Sequence, residues 1–155
     1  MRQIIKPQLA LGVVDIAAIQ LDPRSRDDIP RLLRGLQYIY LQPQVREAVF
    51  TILREVVPLD AAGQPVSVDT GRPGMSQWQI LVLGVLRLGL NADYDRLHQL
   101  ANEHRTIRQM LGHTGWADCE EDLYQLQTIK DNLRLFSPEL LERINREVVA
   151  AGHQL

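Results

Sequence analysis

The apolar positions of this chain recur mostly every three or four residues, and that spacing predicts helices. The first clear stripe is Ile29, Leu32, Leu33, Leu36 and Tyr40. Asp28 can cap this helix, and Pro30 falls in its first turn, where a missing N–H does no harm. Pro43 suits the first position of a second helix, with Val45, Val49, Ile52, Leu53 and Val56 inward and Pro58 at its end. Ser76 caps a third, Gln77 to Leu90, which is apolar on nearly every side. Such a helix is normally the central one of a bundle. Gly84 in its middle costs about 1 kcal/mol relative to alanine and permits a close crossing.

Shorter stripes follow. Asp93 precedes Tyr94, Leu97, Leu100 and Ala101; Thr106 precedes Ile107, Met110 and Leu111, and Gly112 stops that segment. Asp118, with Glu121 three residues later, resembles a capping box ahead of Leu123, Leu126, Ile129 and Leu133. Ser137-Pro138-Glu139 opens a last helix lined by Leu140, Leu141, Ile144 and Val148 and closed by Gly152. Residues 1–26 carry no helical period. There Val13, Val14, Ile16 and Ile19 fit a short extended or docking segment, and Asp22-Pro23 reads as a turn. The pattern predicts an all-α bundle of about seven helices. An N-terminal segment and hairpin (1–58) is joined by a Gly- and Pro-bearing linker (59–74) to a helical bundle (75–155), all in one body.

Composition adds bounds. A chain of 155 residues with 45% apolar content can bury a core without disulfides or metal. Cys119 is the single cysteine, which excludes an internal disulfide and fits a reducing cytoplasm. The most apolar run, Ile80–Leu90, is too short to span a bilayer and contains Arg87. Arg2 and Lys6 are followed by no apolar leader with a cleavage site. Net charge is −2, which argues against strong indiscriminate DNA binding, but the charge is uneven. Residues 1–58 hold eight Lys/Arg against six Asp/Glu, and residues 116–155 hold four against eight, so a basic face can hide in the balance.

One constellation suggests chemistry. Asp93–Glu103, a break at His104-Arg105, and Thr106–Leu111 have the lengths of a helix-turn-helix near 93–112. Its second helix would present Arg105, Arg108 and Gln109 opposite Ile107, Met110 and Leu111. Arginine and glutamine pair with guanine and adenine edges in the major groove, and Thr106 is placed to meet a phosphate. The bland alternative is an ordinary helical hairpin with a solvated polar face. Arg72, in Gly71-Arg72-Pro73-Gly74, can reach a phosphate or simply sit in solvent. His98, His104, His113 and His153 show no zinc-site spacing, and no cofactor is expected in this chain. Asp118, Glu120, Glu121 and Asp122 read as helix-start acids, and Trp78 and Trp116 as core residues. No phosphate-binding glycine loop or nucleophile elbow is present, and no catalytic residue is assigned.

Several segments, in order, resemble the N-terminal helical domain of insertion-sequence transposases, in particular the ISNCY-like group. They are Ser25-Arg26-Asp27-Asp28-Ile29-Pro30, Leu36-Gln37-Tyr38-Ile39-Tyr40, Gly71-Arg72-Pro73-Gly74-Met75 and Trp78 through Arg87. Tyr94 to His98, Arg108 to His113, Gln127 to Asn132 and Ala150 to His153 complete the set. The resemblance implies a DNA-binding front domain that precedes a ribonuclease-H-like domain with three metal-holding carboxylates. Divalent metal is expected in that later domain only. It also implies terminal inverted repeats as the DNA partner, a cytoplasmic, nucleoid-associated location, and a fragment that is not itself an enzyme. Two alternatives stand beside it: a dimerisation module without direct DNA contact, or a stand-alone remnant that represses transposition.

Overall fold

In the computed structural model, residues 15–22, 24–55, 75–113, 123–134 and 136–152 are described. Among them are seven α-helices and no strand. They are α1 (Asp28–Leu41), α2 (Pro43–Arg54), α3 (Gln77–Leu90), α4 (Tyr94–Glu103), α5 (Arg105–Met110), α6 (Leu126–Leu133) and α7 (Pro138–Gly152). The all-α expectation holds. No described helix is long and apolar enough to cross a membrane.

The centre is α3, as its all-round apolarity requires. Trp78, Leu81, Val82, Leu83 and Leu86 are fully buried, and α1, α2, α4 and α6 pack around it. Its start is a capping box: the Ser76 hydroxyl accepts from the Gln79 N–H, and the Gln79 side chain accepts from the Ser76 N–H. Its end turns at Asn91, whose left-handed φ of 51° lets the Ala92 N–H reach the Arg87 carbonyl. Gly84 makes a close approach, though to a ring and not to a helix. A Cβ there would lie 2.5 Å from the Phe136 ring, which caps the middle of α3 from the α6–α7 connection.

Around this axis, α1 and α2 form the expected hairpin, with Leu33, Leu36, Val49 and Leu53 buried. A single 3-10 turn, Ile16–Ala18, docks on α1 because Gln37 donates to the carbonyls of Ile16 and Ile19, both at 3.0 Å. This is the docking segment expected near Ile16 and Ile19; Val13 and Val14 lie outside the described residues. At its far end α2 meets α7, where the Arg143 guanidinium grips both Glu55 carboxylate oxygens at 2.6 and 3.1 Å. That pair holds the Glu55 carboxyl below the usual carboxylate range.

Three boundaries move. Asp27, not Asp28, occupies the N-cap position of α1. The fifth helix starts at Arg105 with His104 as its cap, one residue before Thr106. The sixth starts at Leu126 and not behind Asp118, because the main chain of Tyr124 is already committed. Its N–H donates to Asn102 Oδ1 at 2.7 Å, and its carbonyl accepts from Asn102 Nδ2 at 2.9 Å and His98 Nε2 at 2.8 Å. A residue clasped this way has no N–H or carbonyl left for helix bonds. Asp118, Cys119, Glu120, Glu121, Asp122 and Trp116 lie outside the described residues, as does the whole of the 59–74 linker.

Candidate nucleic-acid interface

Helices α4 and α5 form the pair expected near 93–112. Asp93 caps α4 through its carboxylate, which accepts the Arg96 N–H at 2.8 Å. His104 alone separates the two helices, tighter than the three- or four-residue turn of a helix-turn-helix. It ends α4 with its own N–H on the Leu100 carbonyl and starts α5 with Nδ1, which accepts the Ile107 N–H at 3.3 Å. To accept there, Nδ1 must be unprotonated. Burial, partly opposed by a backbone hydrogen bond, lowers the His104 pKa below its usual 6.5 and so favours the capping form.

The far end of α5 has a complete set of partners. Gly112, at φ 90°, lets its own N–H reach the Gln109 carbonyl and the His113 N–H reach the Arg108 carbonyl. The two remaining carbonyls are met by the first turn of α3. Trp78 Nε1 donates to Met110 at 2.9 Å, and Gln79 Nε2 donates to Leu111 at 3.0 Å. The short α5 is therefore bolted to the central helix, and Ile107 and Met110 are wholly buried.

Arg108 corrects the expected polar face. Its side chain is 0% exposed, and its Nη1 donates to the Ala101 carbonyl at 3.2 Å. A six-residue helix held at its end by α3 keeps position 108 turned inward, beside Ile107. There the guanidinium satisfies a carbonyl in the last turn of α4. It cannot read a base edge from that position. Arg105 is exposed, and Thr106 and Gln109 are half-buried, so these three share the accessible side of α5. Arg72 lies outside the described residues.

Sequence reasoning passed over Asn102, His98, Tyr124 and the Trp78–Gln79 clamp. Ser76-x-x-Gln79 was the readable signal for part of it, since that spacing is a capping box. His113 Nε2 also lies 2.6 Å from the Tyr124 hydroxyl with its ring edge-on, so His98 and His113 act as hydrogen-bonding side chains around one tyrosine. Among the described residues, no group of three or more His, Cys, Asp or Glu is placed to hold a metal ion.

The remaining cations divide sharply. Arg54 pairs with Glu47, Arg134 with Asp131, Arg143 with Glu55 and Arg146 with Glu142. Arg46 sits over the Tyr40 ring and donates to its carbonyl, and Arg87 stacks 4.4 Å over Tyr94. In contrast, Arg24, Arg26 and Arg31 are exposed and have no carboxylate partner among the described residues. Arg96 on α4 is in the same condition but stands alone beside three exposed acids, Asp93, Asp95 and Glu103, whereas Asp22, Asp27 and Asp28 are matched by three arginines. Comparison of the chain with protein-family models, with curated proteins and with solved structures gives no match.

Proposed function

We propose that this chain is the DNA-binding front domain of an insertion-sequence transposase, which recognises the ends of its element and leaves strand chemistry to a separate catalytic domain. The observation that carries this reading is the fixing of α5. Trp78, Gln79 and Arg108 hold its inner side through three side-chain-to-backbone hydrogen bonds, so Arg105, Thr106 and Gln109 stand on a rigid support. Base readout needs that preorganisation, because a side chain that must first be ordered loses much of its discrimination. Arginine and glutamine are the residue types that make bidentate contacts with purine edges. In this reading the protein works at the nucleoid, with terminal inverted repeats as its ligand and no cofactor of its own.

The test is fluorescence anisotropy with a labelled duplex carrying the terminal repeat of the element, against a mixed-sequence duplex of equal length. The wild-type chain should prefer the repeat. Arg105→Ala combined with Gln109→Ala should remove the preference, at about 1–3 kcal/mol for each lost bidentate pair. Equal binding of both duplexes by wild type and variant would refute the reading.

A second reading, an assembly module that joins two transposase copies, is favoured by the acids Asp93, Asp95 and Glu103 around α4 and by exposed Leu41, Leu88 and Leu123. Sedimentation equilibrium at several concentrations separates the two: a dimer that ignores DNA supports assembly.

A further inference from the structure

DNA affinity comes mainly from neutralised phosphates, and α5 offers one exposed cation, Arg105, for that work. If the chain holds DNA as proposed above, most of the grip must come from another part of the surface. We infer that Arg24, Arg26 and Arg31, at and before the start of α1, form the phosphate-contacting ridge of this protein for duplex DNA. The inference rests on the DNA-binding reading and adds to it the surface that supplies affinity.

Three observations converge on this ridge. First, these arginines lie within eight residues of chain, all exposed, and Arg34 is exposed one helical turn beyond Arg31 on the same face. Second, Arg24, Arg26 and Arg31 differ from Arg54, Arg134, Arg143 and Arg146, which the protein pairs with its own carboxylates. Three carboxylates, Asp22, Asp27 and Asp28, are exposed in the same stretch, but none of them forms an ion pair with these arginines. Asp22 Oδ1 accepts the Arg24 backbone N–H at 2.9 Å and so shapes the turn that presents the arginine. Asp27 and Asp28 sit at the start of α1, where they complement the helix dipole. Third, the support is firm. Gln37 ties the 3-10 turn to α1, and α1 packs on α2, α3 and α5, so the ridge belongs to the same body as the candidate reading helix.

Guanidinium groups left without an internal acid are suited to phosphate, which they meet in bidentate fashion. Such contacts position the duplex and carry no sequence information. The ridge and α5 therefore divide the task, and mutation should separate grip from readout.

The experiment measures binding of the 155-residue chain to a fluorescein-labelled mixed-sequence duplex by anisotropy at several salt concentrations. It compares wild type, the triple variant R24A/R26A/R31A and the charge-preserving R24K/R26K/R31K. Thermal melts by circular dichroism confirm that each variant is folded. Each lost phosphate contact flattens the log–log salt slope by about 0.9, so three contacts make the wild-type advantage grow about 40-fold between 0.2 M and 0.05 M salt. The lysine variant should keep most of the slope. A salt-dependent wild type with an alanine variant of equal slope overturns the ridge and leaves the DNA reading standing. A wild type that binds no duplex at low salt overturns both.

Discussion

Removing the Arg108 side chain tests whether α5 is held from inside by a cation or merely rests on the surface. The guanidinium donates to the Ala101 carbonyl at 3.2 Å in a site with 0% exposure. A hydrogen bond from a charged donor contributes about 1.5–3 kcal/mol, and the arginine stem adds about 0.8 kcal/mol for each buried methylene. Against this stands the cost of desolvating the cation, which alanine no longer bears. The balance places Arg108→Ala at about 2–4 kcal/mol less stable than wild type, the range of other large-to-small core changes. In a domain of this size that lowers Tm by roughly 5–15 °C.

Arg108→Met separates the components. Methionine keeps much of the stem volume and removes the charge, so its cost is mainly the Ala101 carbonyl left without its donor, about 1–3 kcal/mol. Arg105→Ala, on the exposed side of the same helix, should stay within about 0.5 kcal/mol of wild type. Urea denaturation followed by far-ultraviolet circular dichroism measures all three. The reasoning fails if Arg108→Ala matches wild type in midpoint and slope, because a buried guanidinium cannot be deleted at no cost. It fails equally if that variant loses DNA affinity while its stability is untouched, since the side chain would then be facing the ligand.

Two further predictions concern the supports of the same assembly. Gly84→Ala gains about 1 kcal/mol of helix propensity but sets a methyl 2.5 Å from the Phe136 ring, and overpacking of that kind costs about 1–3 kcal/mol. The variant should be destabilised by about 1 kcal/mol, and Phe136→Leu should cost less in its background than in wild type. A more stable Gly84→Ala, seen in a urea melt, would mean that the ring yields freely. For His104 the sign follows from its lowered pKa: the unfolded chain takes up the proton first. Its contribution is therefore full above the usual 6.5 and is lost as pH falls through the lower folded value. His104→Asn keeps a capping oxygen without titrating, so its stability should fall less than wild type between pH 7.5 and 5, and parallel profiles would remove the histidine from the account.

The periodic elements were legible in the chain because one physical cause, burial of an apolar stripe, dominates them. Pro43 and Ser76 start helices where expected, and Leu90 ends the central one. What escaped was tertiary in origin. Nothing local tells that Asn102 will bond both main-chain groups of Tyr124, twenty-two residues away, and thereby delay α6 to Leu126. Nor does spacing tell that Gly84 faces a phenylalanine ring from a connection rather than another helix.

The site was harder to read for a related reason. Helical periodicity places Arg108 next to Ile107, and in a six-residue helix one residue of phase decides between solvent and core. Amino-acid type favoured solvent, since arginine is rarely fully buried without a partner. The partner exists, but it is a carbonyl at the end of the preceding helix, whose need arises only once α4 and α5 have packed. The same folding step that turned Arg108 inward left Arg105 as the exposed cation of α5. A chain with balanced overall charge then has to find its phosphate contacts among arginines that no carboxylate pairs, and Arg24, Arg26 and Arg31 meet that condition among the described residues.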